Sequence, residues 1–226
     1  MSNKYVAIIP VRAGSRRLPN KNILPFGDSN LLIHKIRQLK KVKKIDEIVV
    51  SSDSEHMLAM AIQEGVSIHK RPVEYADDKS VPFGKVVAYC ANATDAENII
   101  WAPCTCPLCD EFRFIEAINE YEEKVLQKKV YDSVISTKLF KEFLWDQNKP
   151  LNYKLGSGHI LSQNLPDWQV VVNGFFIASR ENMISWEYFF GINPFRLILS
   201  KKEAVDIDDG FDYAVAKALY NDNTEY

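Results

Sequence analysis

Residues 10–22 read Pro-Val-Arg-Ala-Gly-Ser-Arg-Arg-Leu-Pro-Asn-Lys-Asn, so the four cationic side chains of Arg12, Arg16, Arg17 and Lys21 share one short stretch. Guanidinium forks meet phosphate oxygens in pairs, and a lysine ammonium adds a point charge. Gly14 and Ser15 are small enough to let the backbone approach a ligand and offer its amides. The stretch lacks the Gly-Lys-Ser/Thr ending of a P-loop and the Gly-x-Gly-x-x-Gly of a dinucleotide site. Charge alone would favour a solvated surface loop. Its position directly after the first apolar run favours a phosphate site.

A second chemical segment is residues 205–212, Val-Asp-Ile-Asp-Asp-Gly-Phe-Asp. On a strand, residues two apart face the same side, so Asp206 and Asp208 are expected to point together. Two convergent carboxylates beside a triphosphate make a Mg²⁺ site. The alternative is an acidic strand end that caps the last helix, a role open to Asp209. The third segment, residues 103–109, has Cys104, Cys106 and Cys109 in a Cys-x-Cys-x-x-Cys spacing that invites a zinc or iron–sulfur reading. No fourth ligand is nearby, since Cys90, His34, His56, His69 and His159 are all remote in sequence.

An alternation of strands and helices must hold these segments. Residues 5–9 form an apolar, β-rich run of the kind buried on both faces. Strands are expected at 45–50, 66–69, 98–101, 131–137 and 170–178, with short ones at 196–199 and 203–206. Helices are expected at 31–42, where Leu32, Ile36, Leu39 and Val42 share a face, and at 55–64, stopped by Gly65. Further helices are expected at 82–93, 110–127 and 211–220. This order predicts an α/β fold with a mostly parallel sheet flanked by helices. Ligands of such sheets bind at the carboxyl ends of the strands. The basic loop, Ser51-Ser52-Asp53 and residues 103–107 all follow strand ends, so they are expected in one crevice. From 138 to 170 the alternation breaks into an aromatic, polar stretch, read as a small excursion from a single domain over 1–226 that packs on another subunit.

Residues 8–22, Ile-Ile-Pro-x-Arg-x-Gly-Ser-x-Arg-x-Pro-x-Lys-Asn, resemble the N-terminal signature of the acylneuraminate cytidylyltransferases, which make CMP-sugars from sialic acid and related nonulosonic acids. The resemblance implies that Arg12, Ser15, Arg16 and Lys21 hold the CTP phosphates, with Gly14 allowing close approach and Asn22 orienting the nucleotide. Residues 49–53 resemble the family's Val-Ser-Thr/Ser-Asp strand end. Lys70-Arg71-Pro72, followed by Asp78 and Ser80, is similar to its Arg-Pro-x-x-x-Ala-x-Asp segment, whose arginine approaches the cytosine; on its own Arg71 would read as a surface ion pair. Asp206-Ile207-Asp208 matches the terminal Asp-Ile-Asp that binds metal, which implies Mg²⁺ as cofactor and makes Arg12, Lys21, Asp206 and Asp208 the catalytic set.

Thr105, Pro107 and Leu108 align with a Gln-Pro-Thr-Ser-Pro-Leu-Arg segment, but Pro103, Cys106 and Cys109 replace its glutamine, serine and arginine. Asn173-Gly174 resembles the end of an Arg-Pro-Asn-Gly segment whose Arg-Pro is here Val171-Val172. Gln163, Leu165 and Pro166 resemble the Gln-x-Leu-Pro upstream of it. The family pattern thus adds Ser80, Thr105 and Asn173 to the substrate-binding positions. It also implies a Rossmann-like sheet, a homodimer, and a dimerisation arm at 138–170 that reaches the partner's sugar site.

The bulk numbers suit this reading. In 226 residues, 28 Lys plus Arg against 30 Asp plus Glu give a net charge of −2, with no electrostatic reason for a nucleic-acid or membrane partner. CTP and an acidic sugar are the expected partners. No apolar run approaches the roughly 18 residues of a membrane span, no signal-peptide pattern opens the chain, and four cysteines are too few for a disulfide scaffold. The cytoplasm is therefore the expected address. Two alternatives stay open: a cytidylyltransferase for another acceptor, and a silent paralogue that only binds nucleotide.

Overall fold

The computed structural model describes residues 4–77 and 79–221; Asp78, part of the Arg71 segment above, lies outside the described residues. Along the chain run β1 (Tyr5–Pro10), a small hairpin of β2 (Pro25–Phe26) and β3 (Ser29–Asn30), α1 (Leu31–Lys40), β4 (Glu47–Ser52), α2 (Glu55–Gln63) and β5 (Ser67–Lys70). Then come α3 (Phe83–Asn92), β6 (Asn98–Trp101), α4 (Glu111–Glu120), β7 (Ser133–Phe140), β8 (Trp168–Ser179), α5 (Arg180–Trp186), β9 (Pro194–Ile198) and α6 (Gly210–Asn221).

The main sheet has seven strands in the order β5-β4-β1-β6-β8-β7-β9. Only β8 is antiparallel to its neighbours, so the expected mostly parallel sheet is present with one reversed strand. Strand β1 explains why both faces are covered. Tyr5, Ala7 and Ile9 enter one core with α1 and α4, while Val6 and Ile8 enter the other with α3 and α5. From β1 the chain builds outward through β4 to β5 and then returns to place β6 on the other side of β1. That reversal opens a crevice at the carboxyl ends of β1 and β6.

Helix starts follow their capping residues. The side chains of Asn30, Ser54, Asp110 and Ser179 accept first-turn amides of α1, α2, α4 and α5. Two expectations need correction. The helix expected over 110–127 is α4 followed by π-helical turns at Tyr121–Gln127, where the Lys128 amide reaches back five residues to the Glu123 carbonyl. Residues 203–206 form no strand: Ser200 and Glu203 exchange side-chain-to-backbone hydrogen bonds, and this local turn replaces a ladder. The short β2–β3 hairpin and α5 had no signal in the residue pattern.

Beyond the sheet, β7 and β8 continue as a two-stranded ribbon to the pair Phe140 and Trp168. Residues 141–167 are irregular and carry exposed Phe143, Trp145, Leu151, Leu155 and Leu161. Among the described residues no helix is long and apolar enough to cross a membrane.

Helix α1 also carries a pH-sensitive contact. His34 packs against both Phe26 and Tyr220 and its Nε2 donates to the Pro107 carbonyl at 3.1 Å. Burial, assisted by Lys35, pushes its pKa down to about 4. The folded chain therefore keeps His34 neutral where the unfolded chain protonates it near 6.5. Stability is full above about pH 6.5 and is lost as pH falls toward 4, by about 2–3 kcal/mol. Melting curves across this window should be flatter for His34→Gln, which keeps a donor without titrating. His69, whose pKa burial also lowers, leaves a smaller residual slope. Equal slopes for the two proteins would contradict this assignment.

Candidate active site

The basic loop is held by the next strand's end. Val11 donates its amide to Ser51 O at 3.0 Å, and Ala13 donates its amide to Asp53 Oδ1 at 3.0 Å. Gly14 turns the loop at φ +73°, a conformation that favours glycine, with open space where a side chain would stand. Asn20 adopts a left-handed conformation before a short 3₁₀ turn, Lys21–Ile23, which swings Lys21 back toward the cleft. Arg12 Nη1 donates to Ala76 O at 3.1 Å, and Asn22 Nδ2 donates to Arg12 O at 3.1 Å.

A cleft of about 650 Å³ opens above these residues at the expected crevice. One wall is Arg12, Ser15, Arg16, Arg17, Lys21 and Asn22. A second is Arg71, Tyr75, Ala76 and Asp77, and a third is apolar, formed by Val81, Phe83, Val86, Trp101 and Phe189. Pro103, Thr105, Asn173 and Asp208 complete it. Arg71 is no surface ion pair. It is buried, its Nη2 donates to Val11 O at 2.7 Å, and its buried Nε has no protein partner.

The acidic segment meets the loop directly. Lys21 Nζ donates to Ile207 O at 2.8 Å and to Asp208 Oδ1 at 3.2 Å. Arg17 grips the Asp208 carboxylate with both terminal nitrogens, at 2.9 and 3.0 Å. Asp206 accepts from Asn173 Nδ2 at 2.6 Å through Oδ2, while its Oδ1 is buried with no protein partner. Strand alternation does not produce this arrangement, because 205–208 is irregular. Ile207 is instead fixed by its amide on Thr105 O at 2.8 Å and by a side chain sunk in the core.

The structure thus brings Arg12, Ser15, Arg16, Lys21, Asn22, Arg71, Thr105, Asn173 and Asp208 to one cleft; Asp206 does not line it but bonds Asn173 and faces a neighbouring cavity with Lys138, Val170 and Phe211. Ser80 stands apart from the cleft wall. Its hydroxyl and amide, with the Lys79 amide, serve Asp77, whose pKa they lower to about 2. Gly174 lies against Ser136, Leu199 and Cys109, which leaves a side chain there only tight room. The expected phosphate contacts included Arg16 and left out Arg17, although the second arginine of the family signature falls on Arg17. Also outside the expected set are Tyr75, stacked on Tyr89, and the Phe83, Trp101 and Phe189 wall. Those residues come from distant segments and carry no shared motif.

The three thiols of residues 104–109 serve separate neighbours. Cys104 donates to Asn22 Oδ1 at 3.4 Å, Cys106 donates to Glu203 O at 3.1 Å, and Cys109 faces Gly174. Burial pushes Cys104 and Cys109 up to about 12 and Cys106 well above its ordinary value, so all three stay protonated. Among the described residues no three or more His, Cys, Asp or Glu side chains converge as a ready-made metal cage.

A parallel-sheet crevice lined by a basic loop on one side and carboxylates on the other is the layout of an α/β nucleotide-binding protein. A model of the cytidylyltransferase family matches residues 6–154, and the chain belongs to that family. It is 31% identical over 233 residues to an N-acylneuraminate cytidylyltransferase of Escherichia coli O18:K1:H7, covering 96% of this chain and 52% of that protein. It thus spans about half the length of that relative. It is 25% identical to a pseudaminic acid cytidylyltransferase of Campylobacter jejuni serotype O:2, with 98% of each chain covered. Its fold is similar to that of a CMP:2-keto-3-deoxy-manno-octonic acid synthetase complexed with CTP, at a TM-score of 0.70 and 13% identity over 96% of this chain and 98% of that one.

Proposed function

We propose that this chain transfers the cytidylyl group of CTP to the anomeric hydroxyl of a sialic acid-like nonulosonic acid and releases pyrophosphate. The observation that carries this reading is the direct contact of the basic loop with the acidic segment through Lys21, Arg17 and Asp208. It rests also on the family and on relatives named for sialic and pseudaminic acids.

In this reading Arg12, Arg16, Arg17 and Lys21 hold the triphosphate, and Arg71 faces the cytosine from the second wall. The acceptor oxygen bonds to the α-phosphorus as the bond to the bridging oxygen breaks, and the pyrophosphate leaves with that electron pair. Arg12, Arg16 and Lys21 then face the charge that develops on the leaving group, since positioning and electrostatics dominate such transfers. Among the described residues no histidine lines the cleft, and this reading assigns no side-chain base to the acceptor proton.

Asp206 and Asp208 are the residues that would hold Mg²⁺. The buried, unpartnered Asp206 Oδ1 fits a hard cation, which needs few protein carboxylates when phosphates complete its shell. When bound, the ion neutralises phosphate charge and acidifies the acceptor hydroxyl. The exposed apolar side chains of 141–167 suit a second copy of the chain, so we place a homodimer arm there.

A different acceptor is the second reading. Cys109, at the family's arginine position, is buried against Gly174 and cannot offer a cation to an acceptor carboxylate. Pyrophosphate release from CTP and Mg²⁺ across a panel of nonulosonic acids, 3-deoxy-octulosonic acid and alcohol phosphates tests both. Turnover confined to the last two groups selects the second reading. Mg²⁺-dependent CTP binding without turnover on any acceptor makes the chain a silent paralogue.

A further inference from the structure

The Cys104-Thr105-Cys106 tripeptide leaves β6 between the two chemical halves of the cleft and touches both. On one side the Cys104 thiol meets Asn22 Oδ1 at 3.4 Å, and the same Asn22 amide donates to Arg12 O at 3.1 Å. Both side chains are buried, and among the described residues no other donor reaches that oxygen. On the other side the Cys106 thiol meets Glu203 O at 3.1 Å, in the turn that leads into Asp206 and Asp208. Thr105 supplies the carbonyl that fixes the Ile207 amide at 2.8 Å.

The tripeptide is itself anchored from behind. Lys35, fully buried, donates to Cys106 O at 3.2 Å and to Cys109 O at 2.9 Å, over the ring of Phe114. Gln38 Nε2 donates to Pro107 O at 2.8 Å. Helix α1 therefore clamps this loop by its carbonyls, and the loop's thiols reach forward to the two halves of the site.

We infer that Cys104 and Cys106 are positioning residues for the nucleotide transfer: Cys104 orients the Asn22 amide and so the Arg12 end of the phosphate loop, and Cys106 holds the turn carrying Asp206 and Asp208. The inference rests on the CTP reading above. Protonated thiols can do this because they are S–H donors; as thiolates neither could donate to an oxygen. Without the Cys104 donor, Asn22 Oδ1 is a buried acceptor left unpaired, and the amide loses the contact that tells its oxygen end from its nitrogen end. Nucleotide affinity should then suffer. Without the Cys106 donor, the 201–204 turn is freed from the loop and the Asp206 contact with Asn173 shifts, so the metal requirement should suffer instead.

The test uses the full chain with Cys104→Ala, Cys104→Ser, Cys106→Ala and Cys106→Ser, measuring CTP affinity in EDTA by calorimetry, the Mg²⁺ midpoint of turnover, and the melting temperature. Cys104→Ala should weaken CTP binding about fivefold with the Mg²⁺ midpoint unmoved, a size expected for one unpaired buried acceptor. Cys106→Ala should raise the Mg²⁺ midpoint about threefold with CTP affinity in EDTA unmoved, the smaller effect suiting a weak donor on a part-buried turn. Each serine variant should return its parameter to within about twofold of wild type, because the hydroxyl restores the donor. Valine replaces alanine at either position if the alanine variant does not fold. Variants that lower only the melting temperature, or that move both parameters alike, overturn the inference, as do folded serine variants that restore nothing. A wild-type chain that binds no CTP removes the functional reading and this inference together, whereas wild-type affinity in Cys104→Ala removes this inference alone.

Discussion

Replacing Lys21 with methionine should lower turnover by about a hundred- to a thousandfold and leave the melting temperature nearly unchanged. This is the range for removal of one preorganised charge stabiliser, about 2.7–4 kcal/mol. Lys21 touches both the backbone and the carboxylate of the acidic segment, at 2.8 Å to Ile207 O and 3.2 Å to Asp208. Its ammonium therefore stands where a triphosphate laid on the basic loop would meet the carboxylates. Methionine keeps the aliphatic volume, and Asp208 keeps its two-pronged contact with Arg17, so the fold has little reason to suffer. The exposed Arg17–Asp208 pair contributes little stability by itself. The loss should fall on kcat more than on the KM for CTP, because the charge it offsets grows as pyrophosphate departs. Pyrophosphate release under saturating CTP measures it. A folded variant within tenfold of wild type would remove Lys21 from the catalytic set.

The elements legible in the sequence are those whose burial follows a period. Strand β1 alternates into two separate cores, and α1 puts Leu32, Ile36 and Leu39 on one buried face, so each is visible from residue type alone. The direction of β8 is not visible, because an apolar run between two neighbours reads the same either way along the chain. Residues 203–206 mislead for a different reason. Their composition suits a strand, yet Ser200 and Glu203 satisfy each other's backbone locally and leave nothing for a ladder. The strand expected to turn Asp206 and Asp208 to one side is absent: Asp206 bonds Asn173 and Asp208 bonds Arg17 and Lys21, with the Thr105 carbonyl fixing the residue between them.

The candidate site divides in the same way. The basic loop announces itself because all its charges are contiguous, whereas the apolar wall joins residues 83, 101 and 189 across three elements. Sequence also could not say what the cysteines face. The Cys-x-Cys-x-x-Cys spacing suggests a metal, but spacing fixes only how far apart thiols are along the chain. Burial and the separate oxygens of Asn22 and Glu203 decide what they do.

Asp206→Asn should give the second large effect, a fall in turnover of about a hundred- to a thousandfold together with loss of the Mg²⁺ dependence of CTP binding. The argument turns on the two oxygens of this carboxylate. Oδ2 is occupied by Asn173 at 2.6 Å, while Oδ1 is buried and has no partner in the protein. A buried, unpaired carboxylate oxygen is costly unless something outside the chain takes it up. A divalent cation held there would do so, and the amide cannot substitute. Asparagine either turns its nitrogen into the empty position or sets it against the Asn173 amide, and neither arrangement offers a charge. In EDTA the variant should bind CTP at least as well as wild type, because one negative charge beside the triphosphate is gone. A role in folding alone makes the opposite prediction: a lower melting temperature, with CTP binding still tightened by Mg²⁺ as in wild type. Paired calorimetric titrations of CTP in Mg²⁺ and in EDTA, read beside melting curves, separate the two. Preserved metal-linked binding in Asp206→Asn would leave Asp208 as the only carboxylate of the pair able to serve the metal, and Arg17 and Lys21 already hold it.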